Sequence, residues 1–84
     1  MNNYLKFIED EIKKNLNVEK IKVIDNTLKH REHRFFDINK YHLYLEIESN
    51  YLKSLDKLTA QRSILNILKK EMKSKIHALE IKIK

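Results

Sequence analysis

The chain contains no glycine, proline or cysteine among its 84 residues, and this absence restricts its chemistry more than any other feature of the sequence. Without cysteine it forms no disulfide and offers no thiolate to a metal or a substrate. Without glycine it has neither a glycine-rich phosphate-binding loop nor a glycine-based dinucleotide fingerprint. The side chains that remain for metal binding are carboxylates and the four histidines.

The composition suits one small domain that works through its surface. Apolar residues make up 42% of the chain and charged residues 36%, a balance that allows a folded core. A chain of this length buries only roughly 60–65% of its unfolded surface, which leaves little room for a closed pocket. No nucleophile, base and orienting acid stand at a recognisable spacing. We therefore expect a single domain over residues 1–84, no enzymatic activity and no small-molecule substrate.

The sequence shows no sign of export or of membrane insertion. No apolar run approaches the ~20 residues that span a bilayer. Residues 1–11 lack a basic start, an apolar core and a small-residue cleavage site. We expect a cytoplasmic protein without a membrane partner, or a protein of an organellar matrix if a targeting segment has been removed.

The apolar periodicity predicts two long helices and three short strands. Leucine and isoleucine recur every three or four residues over 4–16, and again from a cap at Asp56 to about residue 73. The predicted stripe of this second helix consists of Leu58, Leu65, Leu68 and Met72, with Ile64 beside them. Strand patterns cover residues 20–25, 41–47 and 76–83, and residues 49–55 form a connector or one helical turn.

Alternation along the strands assigns side chains to the two faces of the sheet. Residues 41–47 place His42 on the outer face beside Tyr44, opposite the apolar row. In the last strand the residues that share the predicted apolar face are His77, Leu79, Ile81 and Ile83. We expect both His42 and Tyr44 to point outwards.

A right-handed crossover makes the last two strands parallel, and a hairpin makes the first two antiparallel. The predicted fold is therefore an α+β two-layer sandwich of order α-β-β-α-β, with a three-stranded mixed sheet and helices on one face. In this topology the loop after the first strand opens at the end of the sheet where the last strand begins. Loop histidines can then converge with His77.

Four segments, in the right order and at matching spacing, resemble the BolA family. Residues 76–81, I-H-A-L-E-I, resemble its I-H-A-L-x-I signature, and residues 62–68, R-S-I-L-N-I-L, fit its R-x-V-x-x-x-L helix. Residues 41–43, Y-H-L, stand where the family has T-H-F, and residues 25–33 are similar to its D-D-S-H-x-H-x-x-H loop. The chain departs from the family where its R-H-R triplet becomes A-Q-R at 60–62, and where the first loop histidine becomes Leu28. The resemblance implies a fold similar to that of class II KH domains.

The resemblance also implies a partner and a shared cofactor. Members of this family pair with monothiol glutaredoxins of the C-G-F-S type in iron–sulfur cluster trafficking or iron regulation. The heterodimer holds a 2Fe–2S cluster, with a glutaredoxin cysteine and a glutathione thiol on one side. On the other side the matching ligands here are His77 and His30, with His33 as the alternative loop ligand. The isolated chain, a monomer or weak dimer, is expected to bind no cluster.

The charge distribution supports a second hypothesis. The net charge is 18 − 12 = +6, and residues 52–84, with nine basic and three acidic side chains, account for all of it. A basic surface attracts nucleic acid or an acidic protein, although cations also suit a solvated helix end. DNA-binding transcriptional regulation, ascribed to the BolA family together with stress roles, is therefore the alternative function. Its candidate contacts are Arg62, Lys69, Lys70, Lys73 and Lys75.

Overall fold

The computed structural model describes residues 3–27 and 40–84, which contain four helices and three strands. In chain order they are α1 Asn3–Asn15, β1 Lys20–Asp25, β2 Tyr41–Glu48, α2 Asn50–Ser54, α3 Lys57–Ile67, α4 Lys69–Ser74 and β3 Ile76–Ile83. The predicted α+β order is confirmed. The bounds of β1 and β3 are those predicted, and the predicted connector contains the short helix α2.

The sheet has the predicted mixed topology. Its strand order is β1-β2-β3, with β1 antiparallel to β2 and β2 parallel to β3. The register pairs Asp25 with Leu43 and Tyr41 with Ile76. The end of β1 and the starts of β2 and β3 therefore lie at one end of the sheet.

The core lies between one face of the sheet and the helices. Alternate residues of β2 point into it, as the period of two requires, and α1 contributes the buried Ile8 and Ile12. The residues that form it are Ile8, Ile12, Leu43, Leu45, Ile47, Leu52, Ala60, Ile64, Leu68 and Ile76. No helix in residues 3–27 or 40–84 combines the length and the apolar character that crossing a bilayer requires.

The predicted apolar stripe of the second long helix is wrong at two positions. Leu58 is 57% exposed and Leu65 is 38% exposed. The buried row consists instead of Ala60, Ile64 and Leu68, which stand four residues apart and therefore share one face of a helix. The prediction selected the larger leucines, whereas the small Ala60 lies against the core.

The predicted helix from Asp56 to about residue 73 is interrupted. The Asp56 carboxylate caps α3 as predicted, accepting from the Thr59 N–H at 2.9 Å. At Leu68, however, φ is −96° and ψ is 15°, outside the helical region, and α4 begins anew at Lys69. The break coincides with a contact between helices, since Glu71 of α4 accepts a hydrogen bond from Tyr4 of α1.

Candidate functional site

His77 lies at an irregularity near the start of β3. Tyr41 pairs with Ile76 and His42 pairs with Ala78, so His77 is an extra residue between the two pairs. A β-bulge of this kind re-aims a side chain, and bulges are common beside functional sites. Ile76 is buried in the core while His77 is exposed.

The predicted face of His77 is wrong. We expected it to share the apolar face with Leu79, which packs against the core. Instead its ring contacts that of His42, with 5.0 Å between the ring centroids. His42 belongs to the outer row of β2, and the bulge turns His77 towards that row.

His42 is buried, although it lies on the predicted outer face of β2. It is 6% exposed, whereas we expected it to point into solvent beside Tyr44. Its backbone N–H donates to the Thr27 hydroxyl at 3.2 Å, and its carbonyl accepts from the Asn26 N–H at 2.7 Å. These bonds fix the chain that follows β1 beside the two histidine rings.

The segment that carries the predicted loop ligands starts and ends at this end of the sheet. Thr27 precedes it, and Tyr41, next to Lys40 at its other end, donates its backbone N–H to the Lys75 carbonyl at 2.7 Å. His30 and His33 belong to residues 28–39, outside the described residues. The structure thus places Thr27 and Lys40, the residues that flank this segment, and His77 at the same end of the sheet.

Among the described residues, the exposed imidazole at this end of the sheet is that of His77. Within residues 3–27 and 40–84, no group of three His, Cys, Asp or Glu side chains is placed to hold a metal ion. A 2Fe–2S cluster takes four ligands from thiolates and imidazoles. His77 is exposed, and its imidazole is of the ligand type that such a cluster takes.

An aromatic cluster that the sequence did not predict supports the same end of the sheet. The ring of Tyr4 stacks on that of Tyr41 with 4.6 Å between centroids, and the Lys75 ammonium lies 5.3 Å from the centre of the Tyr4 ring. The Tyr4 hydroxyl donates to a Glu71 carboxylate oxygen at 2.6 Å. Burial, followed by this hydrogen bond, raises the pKa of Tyr4 well above its usual range. The cluster joins α1 and α4 to the strands that carry His42 and His77.

The predicted basic contacts lie on separate elements. Lys69, Lys70 and Lys73 are exposed on α4, whereas Arg62 is exposed on α3. Lys75 follows α4 and lies over Tyr4. At 100° per residue the three α4 lysines fall within one arc of about 100°. The break at Leu68 therefore leaves Arg62 on a different helix from the lysines.

Comparisons with solved structures find the same fold. The BolA domain of SufE1 from Arabidopsis thaliana is 27% identical, with a TM-score of 0.84 over 100% of this chain and 93% of that one. BolA1 from Arabidopsis thaliana is 20% identical, with a TM-score of 0.79 and the same two coverages. BolA1 from Mus musculus is 17% identical, with a TM-score of 0.77 over 98% of this chain and 64% of that one. These last two identities show the fold alone.

A comparison with curated proteins gives no significant match. The family model for BolA-like proteins matches residues 12–84, which include all three strands, the helices α2 to α4 and both His42 and His77. This chain therefore belongs to the BolA-like protein family.

Proposed function

We propose that this chain is an adaptor that binds a monothiol glutaredoxin of the C-G-F-S type and shares a 2Fe–2S cluster with it. His77 supplies one imidazole, and His30 supplies the other, with His33 as the alternative. A glutaredoxin cysteine and a glutathione thiol complete the ligand set. The role is cluster trafficking or iron regulation, not catalysis.

The observation that carries this proposal is the exposure of His77 on a β-bulge, at the end of the sheet where the residues that flank the 28–39 segment lie. A histidine buried in the core could not bind a cluster that a partner's thiol also ligates. The imidazole of His77, by contrast, is exposed at the end of the sheet. His30 stands three positions after Thr27, a reach of at most about 11 Å, and His33 stands six positions after it, a reach of at most about 22 Å. The preference for His30 rests on the resemblance of residues 25–33 to the family's loop.

The donor chemistry supports the same proposal. The chain has no cysteine, so it offers a cluster only imidazole or carboxylate. Imidazole binds iron well, and histidine replaces cysteine in Rieske-type centres, where it raises the reduction potential. A cluster ligated in this way would have a higher potential than one held by thiolates alone.

The test is to add the chain to a cluster-loaded monothiol glutaredoxin and to record visible absorption and circular dichroism. The variants are His77→Ala, His30→Ala and His33→Ala, with Glu80→Ala as a matched control at another exposed position of β3. We expect a spectral change that is lost in His77→Ala and in one loop variant, and kept in Glu80→Ala. A spectrum that none of the histidine variants alters would refute the ligand assignment.

DNA binding is a second candidate, supported by the lysines of α4. In the described part of the chain, the ammonium groups of Lys69, Lys70 and Lys73 form no salt bridge. Exposed cations on one helix face can neutralise phosphates and release counterions, which makes affinity fall steeply with salt. The separation of Arg62 from these lysines argues against a single recognition helix.

Duplex DNA binding measured at several salt concentrations decides this second candidate. Replacing the three lysines of α4 by glutamine should reduce the slope of log affinity against log salt by about 3 if each contacts one phosphate. Absent or salt-insensitive binding of the wild type would remove DNA binding as a function.

A further inference from the structure

In residues 3–27 and 40–84, β3 forms one edge of the sheet. Among the described residues only β2 pairs with it, since the strand order is β1-β2-β3. An edge strand presents unpaired N–H and C=O groups, and proteins usually shorten or cover such edges to prevent pairing with other chains. β3 nevertheless extends over eight residues, Ile76–Ile83.

The outward backbone groups of this edge belong to Leu79, Ile81 and Ile83. The Lys84 N–H donates to the Ile47 carbonyl at 2.7 Å, and Ile83 is the register partner of Ile47. In a parallel ladder only one residue of each register pair directs its backbone N–H and C=O towards the other strand. Here that residue is Ile47, so the N–H and C=O of Ile83 point away from β2. The same holds for every second residue of β3. Within residues 3–27 and 40–84 no backbone group bonds to these positions from outside the sheet. Three evenly spaced donor–acceptor positions are thus available to an extended chain.

A groove with an apolar floor lies between the C-terminal half of β3 and the turn that joins α2 to α3. Ile81 and Ile83 line it on the strand side, and the buried Leu52 and Ala60 line it on the helix side. Its volume is about 380 Å³, within the range of roughly 300–1,000 Å³ that is usual for binding pockets. We call this site the β3 groove. Side chains on one face of an added strand would enter it.

The rim of the β3 groove is basic. Lys53 and Lys57 line it on the helix side, Lys82 lies at its strand edge with its side chain on the opposite face from Ile81, and no acidic side chain among the described residues lines it. Asp56 stands beside Lys57 in the sequence, but its two carboxylate oxygens accept hydrogen bonds from the Thr59 N–H and hydroxyl at 2.9 and 2.8 Å. Cationic rims of this kind select partners of opposite charge.

We propose that the β3 groove and the adjoining edge bind an extended, acidic segment of a partner protein by β-strand addition. The partner's main chain pairs with Leu79, Ile81 and Ile83, as in other modes of strand addition. Its alternate apolar side chains fill the groove, and its carboxylates meet the lysines of the rim. The occupant is therefore an extended segment that carries both β-branched and acidic residues on the side that faces the groove.

A second copy of this chain would also bring an edge strand, but charge disfavours it. Pairing two β3 edges brings Lys53, Lys57 and Lys82 of both copies towards one interface, in a chain whose net charge is +6. Like charges placed opposite one another destabilise strand pairs and interfaces. An acidic segment removes this repulsion.

This site is separate from the one proposed for the cluster. His77 is the second residue of β3, and the groove residues Ile81 and Ile83 lie four and six residues further along, about 13 and 20 Å at the rise of a strand. The inference does not rest on the glutaredoxin proposal.

The test uses a fluorescein-labelled synthetic nonapeptide, titrated with the full chain and followed by fluorescence anisotropy. Every second residue of the peptide is glutamate or valine in turn, and the residues between them are threonine, so that one face carries both the charges and the apolar groups. A peptide with glutamine in place of glutamate should bind at least about tenfold more weakly, because each rim pair contributes a modest surface interaction. Lys53→Glu and Lys57→Glu should each weaken binding several-fold. Lys14→Glu on α1 makes the same change of charge at an exposed position away from the groove and should leave binding unaltered.

Two N-methylated forms of the peptide test strand addition itself. Methylating the backbone nitrogens of one alternate set of residues should abolish binding, and methylating the other set should preserve it, because only one set faces β3. No binding, equal binding of the glutamine peptide, or equal effects of the two methylated sets would overturn the proposal. So would sedimentation of the chain alone as a dimer that Ile81→Lys converts to monomer. The assay contains neither glutaredoxin nor cluster, so its result is independent of the cluster titration.

Discussion

The buried ring of His42 lies 5.0 Å from the exposed ring of His77, centroid to centroid, with the two planes tilted by 44°. The contact spans two neighbouring strands and depends on the bulge that inserts His77 between its neighbours in β3. His42 is in turn held by the hydroxyl of Thr27 through its backbone. The proposed cluster ligand therefore stands on a supported part of the sheet.

Replacing His42 should affect both stability and the cluster complex. His42→Ala removes a buried ring beside His77, and we expect the free energy of unfolding to fall by about 2 kcal/mol. We also expect the spectrum of the complex to shift, because the ring that supports His77 is gone. Urea unfolding and circular dichroism of the complex measure the two effects. His42→Phe keeps a ring at this position and should recover part of each, and an unaltered His42→Ala variant would contradict the supporting role.

The Tyr4–Glu71 hydrogen bond should make stability depend on pH in the alkaline range. Tyr4→Phe removes the 2.6 Å bond and keeps the stacking on Tyr41, so we expect a loss of about 1 kcal/mol at neutral pH. Burial and the bond to Glu71 raise the pKa of Tyr4. The stability that the protonated hydroxyl contributes is fully present below the pKa of tyrosine in the unfolded chain, about 10. It is lost as the pH rises from there towards the higher pKa of the folded state. Above pH 10 the wild type should lose stability more steeply than Tyr4→Phe, and parallel curves would count against the bond.

The cap of α3 should add a dependence on pH in the acid range. The Thr59 backbone N–H, followed by its hydroxyl, lowers the pKa of Asp56. The stability that the ionised Asp56 cap contributes is present above the pKa of aspartate in the unfolded chain, about 4. It is lost as the pH falls through the lower pKa of the folded state. Asp56→Asn retains a capping acceptor without titrating. Its urea midpoint should therefore vary less below pH 4 than that of the wild type, and identical profiles would show that Asp56 does not contribute.

Substitutions in α3 should separate the observed core face from the predicted one. Ile64 is fully buried, so Ile64→Ala should lower the free energy of unfolding by about 3 kcal/mol. Leu58 is 57% exposed, and Leu58→Ala should cost less than about 1 kcal/mol. Chemical denaturation measures both values. Equal losses would mean that Leu58 is buried in solution.

The strands and their topology could be predicted because their signals are local. The alternation of apolar and polar residues predicted the bounds of β1 and β3. The preference for right-handed crossovers predicted that β2 and β3 pair in parallel. The helix break at Leu68 has no such signal, since neither glycine nor proline marks it. It accompanies the contact between Tyr4 and Glu71, which are far apart in the sequence.

The candidate site could be predicted only in part. The I-H-A-L motif identified His77 as a candidate ligand. The face of the sheet on which its side chain lies depends on a bulge, which is set by the register between β2 and β3. The burial of His42 likewise depends on tertiary packing that alternation does not reveal. The ligand roles of His30, His33 and His77 stay predictions.

The most direct test of the central claim is pulsed electron paramagnetic resonance of the reduced cluster in the complex with a monothiol glutaredoxin. Only this chain would carry histidine labelled with the heavy nitrogen isotope. We predict couplings from directly bound imidazole nitrogens that change with the label, and the loss of one of them in His77→Ala but not in Glu80→Ala. Couplings that the label does not alter, or a His77→Ala spectrum identical to the wild type, would contradict the assignment of His77 as a cluster ligand.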